Sequence, residues 1–568
     1  MLCSEQTAQL VFQNQKMRKL ILILTVLFFI HIVSPAQHYE FAWQNCFGGT
    51  GEDEAYGIAQ TDDGYIVVGD TRSIDGDVTI NYGGLDGWVV RLDQEGQMIW
   101  QRSYGGTNGD YLMDVFSTVE GNFLLAGMTA SQNGTIDHNP YPGTWSFWFM
   151  KVDGEGNIIW QTIAGGPNTN WLWGAYPTAD GGIIGVGEIY GMGGDISVFY
   201  GAVDAWVVKL DANGQVEWDF TAGTPYTPNF ASGIEFGNSV IQTSDGGYLV
   251  AANGTVGLNG SLDCVPPPKS MASGILVKLD ANGQHIWSRC YGGTNGHESI
   301  LDVVEVEDGF VFTGIAASTD GDLAGCELHN PGNSDLWVAK IDFEGNLLWM
   351  YCYGGSGNDA GHAIKSLPEG GVVLLGGTTS YNGDVSHNYA WPPYTNIWFL
   401  LLNEAGQLLY EACYGAANRT HSLGRNSLTV INDNRLVVSG TTRSKPHHPP
   451  EHQGNVDCGN THTGSLTNFD WWVFEIYDTT VFVQEHYHAE LLKVFPNPAT
   501  TQAWLQLPEN IPLTAMYIEL YSPTGRLLHR AQPTSQFHKI EVAHLPRGLY
   551  LVRVWDGERW LVEKLVVR

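Results

Sequence analysis

Three sets of side chains in this chain could do chemistry. The first is a recurring acid turn: Asp75-Gly-Asp77, Gly194-Asp195, Asp320-Gly-Asp322 and Asn382-Gly-Asp384. Carboxylate oxygens on glycine-bent loops suit Ca²⁺, with Asp77, Asp195, Asp322 and Asp384 as the expected ligands. No turn alone supplies the six or so oxygens that ion takes, and Asp-Gly is also ordinary turn chemistry. The second set is aromatic. Trp145, Trp171, Trp391 and Tyr394 stand among Asp and Asn in long variable segments, where flat rings could stack on a sugar. Trp173, close by, could equally pack in a core. The third is His447, His448 and His452 among prolines, readable as a transition-metal site or as a polar loop. A glycosidase would need two carboxylates converging to about 5–9.5 Å, and acids are too widespread here for spacing to pick a pair. Neither a Gly-x-Ser-x-Gly elbow nor a His-Glu-x-x-His motif is present.

These residues are strung on a repeat. An aromatic residue, three residues, then a small or aromatic residue and Gly recurs at Trp43–Gly49, Trp100–Gly106, Trp160–Gly166, Trp218–Gly223, Trp287–Gly293, Trp349–Gly355 and Tyr410–Gly415. The spacing of about sixty residues is right for a four-stranded propeller blade and too long for a helical pair. Each unit reads as four strands, a to d. In the first they are Ala55–Thr61, Tyr65–Gly69, Gly87–Leu92 and Met98–Trp100, with Asp-Gly turns between a and b and Asp-x-x-Gly turns between c and d. The last unit offers a (Leu428–Ile431), b (Leu436–Ser439) and c (Trp471–Ile476) but no d, while a d-type segment, Phe41–Cys46, stands alone near the start. Pairing the two closes a seven-bladed ring and leaves no long sheet edge exposed. A Trp recurring in every unit is expected to pack between neighbouring blades.

The composition agrees. Glycine numbers 70 and charged residues are 15% of the 568, a β-rich, turn-rich profile. The net charge of −33 is carried by residues 37–484, whereas the stretch from Glu485 is near neutral. Such a surface repels nucleic acid and anionic lipid. At the N-terminus, Met17-Arg-Lys19, an apolar run Leu20–Val33 and Ser34-Pro-Ala36 form the three parts of a secretory signal, with 1–16 as an upstream extension. The run is shorter than the ~20 residues that span a bilayer, so no membrane span is expected in the mature protein.

The repeated region resembles the secreted seven-bladed propeller repeat family. The likeness lies in Phe47-Gly-Gly-Thr-Gly-Glu-Asp-Glu-Ala-Tyr-Gly-Ile58, Asp63-Gly-Tyr-Ile-Val-Val-Gly69 and Trp88-Val-Val-Arg-Leu-Asp93. It implies a fold and no particular ligand. A blade places its b–c loop and the far end of strand d on one face. Cys264 with Cys290 and Cys326 with Cys352 are therefore expected disulfides, as is Cys46 with Cys458 across the closing seam. Export permits such bonds. Cys413 has no loop partner and is expected to be a free thiol.

After Asp478 the repeat stops. Residues 479–491 read as a linker, and 492–568 as short alternating strands forming a small Ig-like β-sandwich. This tail is similar to the type A C-terminal sorting domain of type IX secretion. The match rests on Val494-Phe-Pro-Asn-Pro-Ala499, Ile518–Gly525, Leu545–Val552 and Lys564–Arg568, with Pro496, Asn497, Pro498, Gly525, Gly548 and Tyr550 as its landmarks. The resemblance implies handling by the type IX machinery and delivery to the outer surface or medium.

The expectation is thus an all-β chain: a signal with extension (1–36), a seven-bladed propeller (37–478), a linker and a sorting sandwich. Its leading function is non-enzymatic binding of glycan or protein through the face that carries the b–c loops and d–a connections. A polysaccharide-active hydrolase or lyase, and a structural surface-layer protein with no small ligand, are the alternatives. Calcium is the one cofactor the acid turns would suit.

Overall fold

The computed structural model describes residues 39–567, apart from 227–232, 265–271, 391–392, 417–419, 422–423, 444–453, 458–468, 480–492, 508–512, 514–515, 522–526 and 556–559, and from single positions 258, 295, 327, 331, 369, 433, 496, 498 and 544. It divides into two compact units, Phe41–Ile476 and a second that holds Tyr477–Arg568.

The first unit is a propeller of seven antiparallel sheets. In the first sheet the strands run Asp53–Thr61, Gly64–Thr71, Asp86–Asp93 and Met98–Tyr104, in chain order from a to d. Five further sheets repeat that order. The seventh is assembled from both ends of the repeat: Tyr39–Phe47 lies beside Asp470–Asp478, which pairs with Arg435–Thr442. The expected closure by an N-terminal strand is therefore present. Strands b and c are apolar on both faces because each sheet is sandwiched between two others. Trp88, Trp148, Trp206, Trp337, Trp398 and Trp471 on the c strands are fully buried.

Neighbouring sheets are joined by repeated contacts. The strand-d Trp of one sheet lies over the c–d turn of the next, where only a glycine leaves room. A Cβ at Gly96 would sit 2.4 Å from the Trp43 ring, and one at Gly283 would sit 2.5 Å from Trp218. Trp100 and Trp160 also donate their indole N–H to turn carbonyls of the following sheet, Gly154 and Ala212, at 3.2 Å each.

Strand a of six sheets carries a β-bulge at the same level, at Tyr56, Met113, Trp173, Asn238, Leu301 and His362. A bulge inserts a residue and changes which side chains face inward. In the seventh sheet strand a is split. Thr420–His421 pairs with Thr442–Thr441, and pairing resumes at Leu428 opposite Val438. Between them Gly424–Asn426 reaches into the centre of the ring. The Ile58 N–H donates to the Asn426 carbonyl at 2.8 Å, and the Asn426 amide donates to the Val115 carbonyl at 3.0 Å. Glycine is required at 424, because a Cβ there would lie 1.7 Å from the Tyr56 carbonyl oxygen.

The second unit contains two sheets. One orders Lys493–Phe495, Gln502–Gln506 and Phe537–Glu541; the other orders Leu527–Ala531, Tyr517–Tyr521, Gly548–Trp555 and Trp560–Val567. They share a core of Ala503, Leu505 and Ile540 against Ile518, Val552, Val554 and Leu565.

Candidate functional site

The four aspartates of the acid turns do not converge; they are distributed one to a sheet. Each clips its b–c loop to the glycine that ends strand d of the preceding sheet. Asp77, Asp195, Asp322 and Asp384 accept the N–H of Gly48, Gly165, Gly292 and Gly354 at 3.0–3.1 Å. Each also donates its own N–H to the same glycine's carbonyl at 2.8–3.0 Å. In the other three sheets Thr135, Ser261 and Asn455 make the same reciprocal pair with Gly105, Gly223 and Gly415. The position thus needs an oxygen acceptor and not a charge. Among the described residues no group of three or more His, Cys, Asp and Glu side chains is placed to hold a metal. His447, His448 and His452 lie outside the described residues.

A second set of acids sits at the start of strand a. The Asp53 carboxylate accepts from Thr71 and Ser73 hydroxyls and from the Gly49 N–H, and Asp110 and Asp359 repeat the pattern with Thr129, Ser131 and Gly106, and with Thr378, Ser380 and Gly355. Burial outweighs these bonds and raises all three carboxyls, Asp110 to about 6. Burial likewise lifts Glu235, bonded to Thr224, to about 8.

Two of the expected ligand-binding aromatics do come together. Trp145 ends the b–c loop of the second sheet, and Trp171 is the second residue of strand a in the third sheet. Their ring centroids are 6.3 Å apart. Tyr111 extends the row on one side, 5.3 Å from Trp145, and Trp173 on the other, 5.8 Å from Trp171. All four rings are half-buried. Trp173 is the bulge residue itself, and its indole N–H donates to Glu188 on strand b of the same sheet at 3.4 Å. Burial raises the Glu188 carboxyl. Tyr394 is exposed in the b–c loop of the sixth sheet and makes none of these ring contacts. Trp391 lies outside the described residues.

Disulfides Cys264–Cys290 and Cys326–Cys352 are formed, with Cα atoms 5.5 and 5.3 Å apart. Each ties a b–c loop to strand d of its own sheet. Cys46 is also disulfide-bonded, and its expected partner Cys458 falls outside the described residues. Cys413 is free and buried, and burial pushes its thiol well above the usual range.

Sequence reading missed the channel. Strand a of every sheet lines a cavity of about 590 Å³ that runs from the level of the bulges to the a–b turns. Asp114 and Asp302 stand directly after the bulges of the second and fifth sheets and are almost wholly buried. Asp114 accepts the Ala175 N–H at 2.7 Å; Asp302 accepts the Ser239 hydroxyl at 2.7 Å and the Ile364 N–H at 2.9 Å. Burial raises both carboxyls, Asp114 to about 7. The legible signal was a departure from the repeat: other copies hold Gly57, Gly174, Ser239 and Ala363 at that place. A larger groove of about 1140 Å³ lies between the outer strands of the first two sheets. Its Trp100 and Tyr104 already bond to turn carbonyls of the second sheet.

In the second unit, the Asn497 side chain accepts the Val566 N–H on the last strand at 2.8 Å. Tyr550 is 2% exposed, and its hydroxyl donates to the Pro546 carbonyl at 2.7 Å. Gly548 opens the strand that carries Tyr550, while Pro496, Pro498 and Gly525 fall outside the described residues. Residues 493–568 match the model of the secretion system C-terminal sorting domain. This tail is a C-terminal sorting domain. The sorting domain marks the chain for export by type IX secretion to the cell surface or the extracellular space. No helix among the described residues is long and apolar enough to cross a membrane.

No curated protein matches the chain. Among solved structures it is similar to the WD40 domain of Neurospora crassa Pan2 (12% identity, TM-score 0.35, covering 66% of this chain and 92% of that one). It is also similar to Sqt1 from Chaetomium thermophilum (12%, 0.33, 78% and 100%). A third is an ulvan lyase of polysaccharide lyase family PL25 (10%, 0.40, 70% and 93%). Likenesses this distant carry nothing about the chemistry of the sorted protein.

Proposed function

We propose that the chain is a secreted or surface-exposed propeller that binds glycan through the face formed by its b–c loops and d–a connections. Residues 1–36 act as the Sec signal, 37–478 as the binding ring and 492–568 as the sorting domain that the type IX machinery handles. The observation that carries the reading is the row Tyr111–Trp145–Trp171–Trp173, with successive centroids 5.3, 6.3 and 5.8 Å apart. Aromatic faces backed by a rigid scaffold, with a carboxylate at one end, suit the apolar faces and hydroxyls of a sugar chain. The net charge of −33 favours a neutral glycan over an acidic one at this face. No catalytic step is assigned, and Asp114 and Asp302 of the channel are each bonded to backbone donors. Probing a glycan array with the mature chain, with and without calcium, tests the proposal. Retention of neutral glycans, independent of calcium and without turnover, is the expected result. Turnover of a retained glycan would favour a polysaccharide-active enzyme, and no retention would favour a protein partner or a structural role.

A further inference from the structure

The inner end of the channel cavity holds two cations whose hydrogen-bond partners are neutral. Arg425, on the segment that fills the ring centre, and Lys365, on strand a of the sixth sheet, both line the cavity. Among the described residues the one polar partner of the guanidinium is Nδ1 of His362, 3.4 Å from Nη1. Burial holds the His362 pKa down to about 3, so that the ring is uncharged and free to accept. Arg425 Nε is buried with no hydrogen-bond partner. Lys365 Nζ donates to the Asn426 side-chain oxygen at 3.1 Å. The two nearby carboxyls, Asp114 and Asp302, act on both cations through space, but among the described residues they make no ion pair with them and their hydrogen bonds go elsewhere. Asp114 is committed to the Ala175 N–H, and Asp302 to Ser239 and Ile364.

A guanidinium presents five donors in a planar fork that matches an oxyanion, and leaving such donors unmet in a buried place is costly. The cavity, about 590 Å³, falls in the ~300–1,000 Å³ range of small-molecule sites. Its mouth is formed where the a strands end, by Gln60, Ser117, Gln242, Glu305 and Ser366, on the face opposite the aromatic row. Asn426 closes the other end through its bonds to Ile58 and Val115.

We propose that this funnel is a second binding site, taking an oxyanion on a ligand no larger than a disaccharide, held by Arg425 and Lys365. The shared chemistry is a carboxylate or sulfate group, and the two are separated by the probes used. The mature chain is titrated calorimetrically with sodium glucuronate and with sodium sulfate, at ionic strength held constant with chloride. Arg425→Gln, Lys365→Gln and Trp171→Ala are measured alongside, each with its melting temperature. Saturable binding of either probe is expected, weakened at least tenfold in both channel variants and unchanged in Trp171→Ala. Glucuronate alone would mark a carboxylate site; both probes would mark a general oxyanion site. Should Arg425→Gln fail to fold, Lys365→Gln decides, since its change lies at the end of a side chain on an intact strand. No saturable binding of either probe by the parent chain, or binding unaltered in the folded channel variants, overturns the proposal and leaves the loop-face reading untouched.

Discussion

The Asp322 carboxylate accepts the Gly292 N–H at 3.0 Å while the Asp322 N–H donates to the Gly292 carbonyl at 3.0 Å. The pair joins a b–c loop to the end of the preceding sheet, and it recurs around the whole ring with Asp, Thr, Ser or Asn in the acceptor role. The clamp works through geometry, so charge at this position is dispensable.

Substitution at Asp322 and Asp384 separates a clamp from a metal ligand. Asp322→Asn should unfold within a few tenths of a kcal/mol of the parent, whereas Asp322→Ala should lose about 1 kcal/mol by leaving an N–H unmet; Asp384, which also faces His329 at 3.6 Å, should lose somewhat more as Asn. Urea midpoints read the difference. A chelator should leave the melting temperature unchanged; a fall on chelation would restore the calcium reading of Asp77, Asp195, Asp322 and Asp384.

Peptide mapping without reduction should recover Cys264 linked to Cys290 and Cys326 linked to Cys352. Cys413 should react with an alkylating reagent only after unfolding, because burial both hides the thiol and raises its pKa. Replacing Cys264 and Cys290 by Ser should cost about 3.5 kcal/mol, the loop-closure term for a loop of this length. Fast alkylation of native Cys413 would contradict its placement.

The buried acids make the propeller more stable in mild acid than in mild base. Folded-state values near 6 for Asp110 and Asp204, near 7 for Asp86 and Asp114 and near 8 for Glu235 lie above the ordinary carboxylate range. Between about pH 5 and 8 the folded chain therefore holds protons that the unfolded chain has released, and stability falls as pH rises. His362, kept neutral by burial, opposes this below about pH 6.5, where the unfolded ring would take a proton. The five acids outnumber it. Melting temperature should decline from pH 5 to 8, and Glu235→Gln should flatten the upper part of the decline. A stability that rises across that range would contradict the assignment.

Deleting residues 493–568 should leave the propeller folded but retained in the periplasm, as read by fractionation and by melting of the purified ring. Unchanged surface delivery would show that export does not depend on the sorting domain.

Much of this was legible in the sequence because a repeat states its architecture many times over. The out-of-phase start at Trp43 and the missing strand d after Ile476 implied closure, and the matched loop and strand positions of Cys264 and Cys290 implied their bond. Of the two readings the acid turns allow, the clamp is the one legible from the repeat, since Thr135, Ser261 and Asn455 in the same slot show that a neutral oxygen suffices there. The channel was hidden for a physical reason. A bulge at Met113 or Leu301 shifts the in–out alternation by one residue, so period-two reasoning does not bring Asp114 and Asp302 inward. The segment Gly424–Asn426 is hidden as well, since the sequence marks strand a of the seventh unit only from Leu428.

The aromatic row bears the functional account, and its direct test is affinity for a glycan retained on the array, measured by calorimetry on the mature chain and on Trp145→Ala and Trp171→Ala. Loss of one stacking ring should weaken binding about tenfold or more, on the scale of ~1–3 kcal/mol per stacked ring seen for planar ligands, in variants that melt lower because both rings also pack on the core but are folded at the temperature of the titration. Equal affinity in the parent and in both folded variants would contradict the claim that this face holds the ligand.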